Sequence, residues 1–276
     1  MIEGYADPEV KYDITYLSLG AGVQSTALMA MSCDDDRVPT ADLAIFADTQ
    51  CEPDYVYKNI ERLKTLSDIP IHVVTAGSLT EDAIDRHNGQ RSRFAAIPVW
   101  TLGADNRSVP LRRQCTREYK IDPIEKFVRG ALGYQPRQRI KKRARCLIGI
   151  SKDEVRRMKP SRTRWIDNAF PLIDIGMTRG GCIEYLKTRG WDAPNRSACI
   201  VCPYHSDDYW KRLKERHPDE FRRAVAFDKA VRDMSASGVR NPVYLHQSLK
   251  PLGDIDFTHG GQRDFFDEEC EGMCGQ

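Results

Sequence analysis

The sequence predicts an α/β fold: a doubly wound, mostly parallel sheet followed by a helical C-terminal portion. Three observations carry this. Short apolar runs alternate with amphipathic ones over most of the length, the pattern of strands covered by helices. The first apolar run passes through a glycine-rich turn into a helical segment, the order found at ligand-binding edges of parallel sheets. At 276 residues the chain can bury one full core and a modest appendage.

Taken in order, Ile14 to Leu19 reads as the first strand and Gln24 to Met31 as the helix after it. Leu43 to Ala47 is a second strand ending at Asp48, followed by a helix from Pro53 to Leu66; Ile71 to Thr75 is a third strand. Leu79 to Arg113 is polar and arginine-rich and reads as a loop or lid over the site. Asp122-Pro123, a cap followed by proline at N1, starts a helix that runs to Leu132. Arg145 to Ile150 is a fourth strand and Phe170 to Ile173 a short fifth. Thr178 caps a helix that Gly190 stops after Arg189. Beyond Asp207, Tyr209, Trp210, Leu213, Phe221, Val225, Phe227 and Val231 recur at helical spacing. This divides the chain into an α/β domain, residues 1–206, and a helical extension with a cysteine-containing tail, residues 207–276.

The net charge of +2 gives no global steering toward polyanions. No apolar run approaches a membrane span, and the start, Met1-Ile-Glu-Gly-Tyr-Ala-Asp, lacks the basic and apolar parts of a signal peptide. The expectation is a cytoplasmic protein without a membrane partner. Nine cysteines in a reducing compartment then point to metal ligation, sulfur chemistry or core packing rather than to a disulfide framework.

The segment Ser18-Leu-Gly20-Ala21-Gly22-Val-Gln24-Ser25-Thr26 reads as a phosphate cradle. Gly20 and Gly22 can take positive φ, and Ser25 and Thr26 lie where the following helix presents its unpaired N–H groups. The loop is not a Walker motif, since no lysine occurs between Lys11 and Lys58, nor a dinucleotide fingerprint, since Ser25 replaces the third glycine. Asp48-Thr49, at the end of the second strand, is placed for a ribose or Mg²⁺; its plainer role is a helix cap. Cys199-Ile-Val-Cys202 offers two thiolates to one metal, with Cys115 and Cys182 as candidates to complete the shell. Cys33, Cys51 and Cys146 read as core. Arg137, Arg139, Lys141, Lys142, Arg143, Arg145, Lys159, Arg162 and Arg164, with Trp165, form a cationic stripe that suits a nucleic-acid backbone, although charge runs are more often simply solvated.

Gly20 to Ser25 resembles the PP-loop, Ser-Gly-Gly-x-Asp-Ser, of the ATP pyrophosphatases and the phosphoadenylylsulfate (PAPS) reductases, with Gly20, Ala21 and Gln24 as departures. Cys115-x4-Lys120 resembles the cysteine–lysine segment of iron–sulfur members of that family. Gly149-Ile-Ser-Lys152-Asp-Glu154-Val-Arg-Arg157 resembles its sulfate- or phosphate-gripping element. The tail, Cys270-Glu-Gly-Met-Cys274, echoes the Glu-Cys-Gly ending of the reductases.

The resemblance implies an adenine nucleotide alpha hydrolase-like fold. It further implies ATP with Mg²⁺ on the loop, Asp48, Thr49 and Gly149, and a 4Fe–4S cluster on Cys115, Cys182, Cys199 and Cys202 or on three of them. Lys152 and Arg157 would offset charge on departing pyrophosphate, and Cys270 or Cys274 would relay sulfur. It is nearest to the ATP pyrophosphatases of DNA phosphorothioation. That implies adenylation of a nucleic-acid oxygen, in DNA or tRNA, within a modification complex of several subunits fed by a cysteine desulfurase. A PAPS or APS reductase, a tRNA thiolation enzyme and a silent nucleotide-binding subunit are the alternatives.

Overall fold

The structure, a computed structural model, describes residues 3–87 and 97–257. Its elements run β1 (Ile14–Ser18), α1 (Val23–Asp34), β2 (Leu43–Asp48), α2 (Asp54–Leu66) and β3 (Ile71–Thr75). Then follow α3 (Leu79–His87), β4 (Trp100–Leu102), β5 (Ser108–Pro110), a π-helical turn over Arg117–Ile121 and α4 (Asp122–Ala131). β6 (Ala144–Ile148), β7 (Ile166–Ala169), α5 (Pro171–Asp174) and α6 (Arg179–Thr188) complete the main layer, and α7 (Asp207–Arg216), α8 (Pro218–Ala230) and β8 (Val243–Tyr244) follow.

Five parallel strands lie in the order β3-β2-β1-β6-β7. The period-two alternation of strand side chains divides the sheet between two cores. Leu17, Ala44, Phe46 and Leu147 face α1, α2 and α6 with Leu28, Ile60 and Leu186. Tyr16, Ile45, Cys146 and Ile148 face Ile124 and Val128 of α4. Helices therefore cover both faces, as expected of a doubly wound sheet. The chain leaves β1 toward β2 over one face and reaches β6 only after α4 has packed on the other. The loops after β1 and β6 part between neighbouring strands, and such a switch point at the carboxyl edge is where open α/β sheets bind ligands.

A second, antiparallel sheet, β5-β4-β8, joins the middle of the chain to its end. Beneath it a third core unites Leu79, Val99 and Tyr119 with Trp210, Leu213, Phe221 and Val243. The C-terminal portion is mainly helical.

Two local expectations are corrected. Phe170 to Ile173 is not a strand: Pro171 stands at N1 of α5, and the fifth strand is Ile166–Ala169. Its polar Asp167 is buried beside the Arg143 guanidinium, which disguised it as a non-strand segment. Leu79 to Arg113 is not simply a loop, since it contributes α3, started by Ser78 Oγ accepting the Glu81 N–H at 3.3 Å, and the β4–β5 hairpin. The Thr178 cap is as expected, its hydroxyl accepting the Gly181 N–H at 3.1 Å. Among the described residues no helix is long and apolar enough to cross a membrane.

Candidate nucleotide and thiol site

The loop after β1 delivers α1 with Gly22 at its N-cap, no side-chain cap and no acidic residue in its first turn. The N–H groups of that turn and the positive end of the helix dipole thus meet the switch point, a combination that favours an anion. Two buried polar atoms of the same turn, Gln24 Oε1 and Thr26 Oγ1, lack a hydrogen-bond partner, and orphaned groups of this kind ask for a bound molecule. Gln24 Nε2 is 3.5 Å from Ser151 Oγ, which joins the first turn to the segment after β6. Gly149 makes that closeness possible: a Cβ there would lie 2.7 Å from Ser25 N and 2.8 Å from Ser25 Cα. Ser18, Gly20, Ala21, Gly22, Gln24, Ser25 and Thr26 are all buried around this junction.

The loop conformation corrects one expectation. Neither Gly20 nor Gly22 takes positive φ; Ala21 does, at 61°. For a residue with a Cβ this costs about 1–2 kcal/mol, and the surroundings hold it, Ala21 O accepting Asn59 Nδ2 at 3.0 Å. Strain tolerated in a cradle is a mark of functional loops.

Next to β1 on the same edge, Asp48 Oδ1 accepts the Gln50 N–H at 2.7 Å and the Tyr57 hydroxyl at 2.9 Å. Burial, reinforced by the Asp48 carboxylate, raises the Tyr57 pKa, so this phenol stays a donor. Thr49 Oγ1 lies 3.3 Å from Cys199 Sγ and so opens the second half of the site. There Cys115, Cys199 and Cys202 line one cavity of about 40 Å³, bordered by Arg113, Thr116 and Lys120. Glu52, which the sequence reading passed over, bonds two of the residues that line it. Its Oε1 receives Cys199 Sγ at 3.3 Å and Lys120 Nζ at 3.3 Å, while Oε2 is buried and unpartnered. Lys120 was visible in the Cys-x4-Lys spacing; nothing in the sequence ties Glu52 to it.

The donor set fits an iron–sulfur cluster in kind, with three thiols on one cavity and Arg113 beside them, while the charge of Lys120 is already met by Glu52. Among the described residues, however, no three His, Cys, Asp or Glu side chains are gathered closely enough to hold a metal ion as they stand. Cys182 is placed elsewhere: it is fully buried in the core with Leu172 and Leu186, on the face of α6 that packs against α1.

Of the anion-gripping residues after β6, Lys152 is exposed, its N–H bonded to Met177 O at 2.7 Å. Arg157 turns inward to Glu154, Nη1 to Oε2 at 2.7 Å with both side chains nearly buried, so its charge is already offset. Cys270 and Cys274 lie outside the described residues.

The cationic stripe is also relocated. Arg143 precedes β6 and Arg164 precedes β7, so these residues lie at the amino edge of the sheet, opposite the cradle, around a cavity of about 530 Å³. Their closeness in sequence to the Gly149 segment is deceptive, because the chain crosses the whole sheet between them. Part of the stripe is committed: Arg143 to Asp167, Arg145 to Thr15 Oγ1 at 3.2 Å, and Trp165 beneath the Arg129 guanidinium at 5.9 Å.

No family model matches the chain, and no characterised protein matches it by sequence. Solved structures do. The phosphoadenylyl-sulfate (PAPS) reductase from Candida auris, in a phosphate complex, is similar at 14% identity with a TM-score of 0.43, over 68% of this chain and 78% of that one. The U34-tRNA thiolase NcsA from Methanococcus maripaludis, with its 4Fe–4S cluster, is similar at 12% identity with a TM-score of 0.40, over 86% of this chain and 76% of that one.

Proposed function

We propose that the protein is an adenylating ATP pyrophosphatase that activates a nucleic-acid oxygen for replacement by sulfur, with DNA phosphorothioate modification as the specific setting. The observation that carries this reading is the uncapped first turn of α1 at the switch point, with two orphaned buried polar atoms, beside a three-thiol cavity on the same edge.

In this reading the β- and γ-phosphates lie on the N–H groups of α1, and Asp48 would hold the accompanying Mg²⁺. The nucleic-acid oxygen attacks the α-phosphorus, the bond to the bridging oxygen breaks, and the electron pair leaves with pyrophosphate. Lys152 offsets the charge of that leaving group, and preorganised N–H groups do so without reorganisation. Sulfur then displaces AMP, taking with it the oxygen that was activated. A cluster held by Cys115, Cys199 and Cys202 would supply an iron site for sulfide, with a cysteine desulfurase as the outside source and further subunits presenting the substrate. In the cluster-free protein Lys120 and Glu52 orient Cys199, the carboxylate accepting from its thiol; that proton would leave when the sulfur ligates iron.

Pyrophosphate release from Mg-ATP by anaerobically purified protein, alone and with DNA or tRNA, tests the proposal. Release stimulated by a nucleic acid is the expected result. No release under any condition, with release of sulfite from PAPS instead, would replace it by the reductase.

A further inference from the structure

A cavity of about 320 Å³ opens between α6, the segment before Cys199 and α7. Arg179, Arg196, Arg212 and Arg216 line it with Tyr55 and His217, and no Asp or Glu does so among the described residues. Tyr55 lies in the first turn of α2 and Arg179 opens α6. The Arg179 N–H bonds Asp153 Oδ1 at 3.1 Å, which ties this rim to the segment after β6. Arg196 is three residues before Cys199 in sequence. The cationic cavity therefore belongs to the carboxyl edge, with the cradle and the thiols, whereas the stripe of basic residues does not.

Its chemistry is that of a phosphate site. Guanidinium forks match phosphate oxygens two at a time. Arg212 and Arg216 stand four residues apart on α7 with no ion-pair partner among the described residues, and like charges at that spacing disfavour a helix. The helix C-terminus beside Arg216 and Asp208, four residues before Arg212, offset part of this charge, and a bound anion relieves the rest. The Tyr55 and His217 rings, with centroids 5.3 Å apart and planes inclined at 51°, put aromatic faces beside the arginines, and aromatic faces are what single-stranded bases stack on. The volume is at the lower end of the about 300–1,000 Å³ usual for ligand sites, room for a nucleotide unit and not for a duplex.

We infer that this cavity holds the phosphodiester backbone of a single nucleic-acid strand and presents it to the cradle; its purpose, though not its binding, rests on the adenylation reading above. The test is fluorescence anisotropy of a labelled single-stranded oligonucleotide with the full-length protein, without ATP, over a range of salt. Arg212→Gln/Arg216→Gln is expected to weaken binding at least tenfold and to lower the slope of log Kd against log salt by about 1.4, two contacts at about 0.7 each for a single strand. Arg162→Gln/Arg164→Gln, on the opposite edge, is expected to bind as wild type. Unchanged affinity and slope in the first pair, or loss confined to the second, overturns the inference. So does competition by adenosine 3′,5′-bisphosphate at equal or lower phosphate concentration than unlabelled oligonucleotide, which would make the cavity a small-nucleotide site. Because ATP is absent, oligonucleotide binding without pyrophosphate release in the companion assay refutes the adenylation reading alone. Release with unchanged binding in the first pair refutes the cavity alone.

Discussion

Replacing Gly149 by alanine adds one methyl group at the junction of the cradle. The added Cβ meets Ser25 N at 2.7 Å, Ser25 Cα at 2.8 Å and the Gln24 carbonyl carbon at 3.0 Å. All three are backbone atoms of the first turn of α1, so no flexible side chain can yield and the turn itself must shift. Overpacking of this kind costs about 1–3 kcal/mol, and for a chain of this size each kcal/mol moves the melting temperature by about 2–4 °C. Gly149→Ala should therefore melt about 2–12 °C below wild type by differential scanning calorimetry. The control is Gly130→Ala, within α4, where an added Cβ meets nothing within 4 Å. There alanine gains about 0.5–1 kcal/mol over glycine in a helix interior and the melting temperature should rise. A Gly149→Ala protein that melts with or above wild type would show that α1 and the segment after β6 are not held together as described, and the switch-point cradle would lose its geometry.

Further outcomes follow from the same contacts. Lys120→Met leaves the Glu52 carboxylate, 1% exposed, without its cation, a loss of about 3–5 kcal/mol read by urea denaturation; Glu52→Gln/Lys120→Met should recover most of it, and a stable single variant would refute the pairing. The Cys146 thiol, pushed up to about 12 chiefly by burial against an unfolded value near 9, keeps its proton while the unfolded chain loses it. Its contribution is full below pH 9 and lost as pH rises toward 12, so wild type should lose about 1.4 kcal/mol per pH unit more than Cys146→Val in that window; parallel pH profiles would sink this. In anaerobic preparations Cys199→Ala should lose iron while Cys182→Ala keeps it, and a colourless, zinc-containing wild type would remove the cluster. Thr178→Ala should cost about 1 kcal/mol through the lost cap on α6, checked by thermal melting.

Much of the main sheet could be read from the chain, because β1, β2, β3 and β6 are apolar runs flanked by amphipathic helices. β7 could not, since Asp167 and Asn168 look like loop residues until Arg143 and the isolated pairing of Asn168 with Tyr5 are in place. The glycine loop was legible as a cradle, yet its left-handed residue is Ala21, where local propensity points to Gly20 or Gly22 and tertiary contact decides otherwise. Cysteines 115, 199 and 202 share a cavity although they come from separate segments, whereas Cys182 lies in the core against α1: what directs a helical side chain inward is which face of the helix is covered, and spacing alone does not say. The arginines of the cationic cavity come from three separate segments, so no window of sequence contains them. The stripe, contiguous in sequence, was easy to see and lies on the amino edge, away from the loops after β1 and β6.

In the proposed function a nucleoside triphosphate sits between the loops after β1 and β6. Backbone ¹⁵N–¹H spectra of the protein titrated with Mg-ATP test it directly, because the amides of Gly20, Gly22, Ser25 and Gly149 report on that junction alone. The account predicts that these four shift first and furthest, with those of Lys152 following. Saturable shifts confined to other parts of the chain, or ATP binding by calorimetry with these amides unmoved, would contradict it.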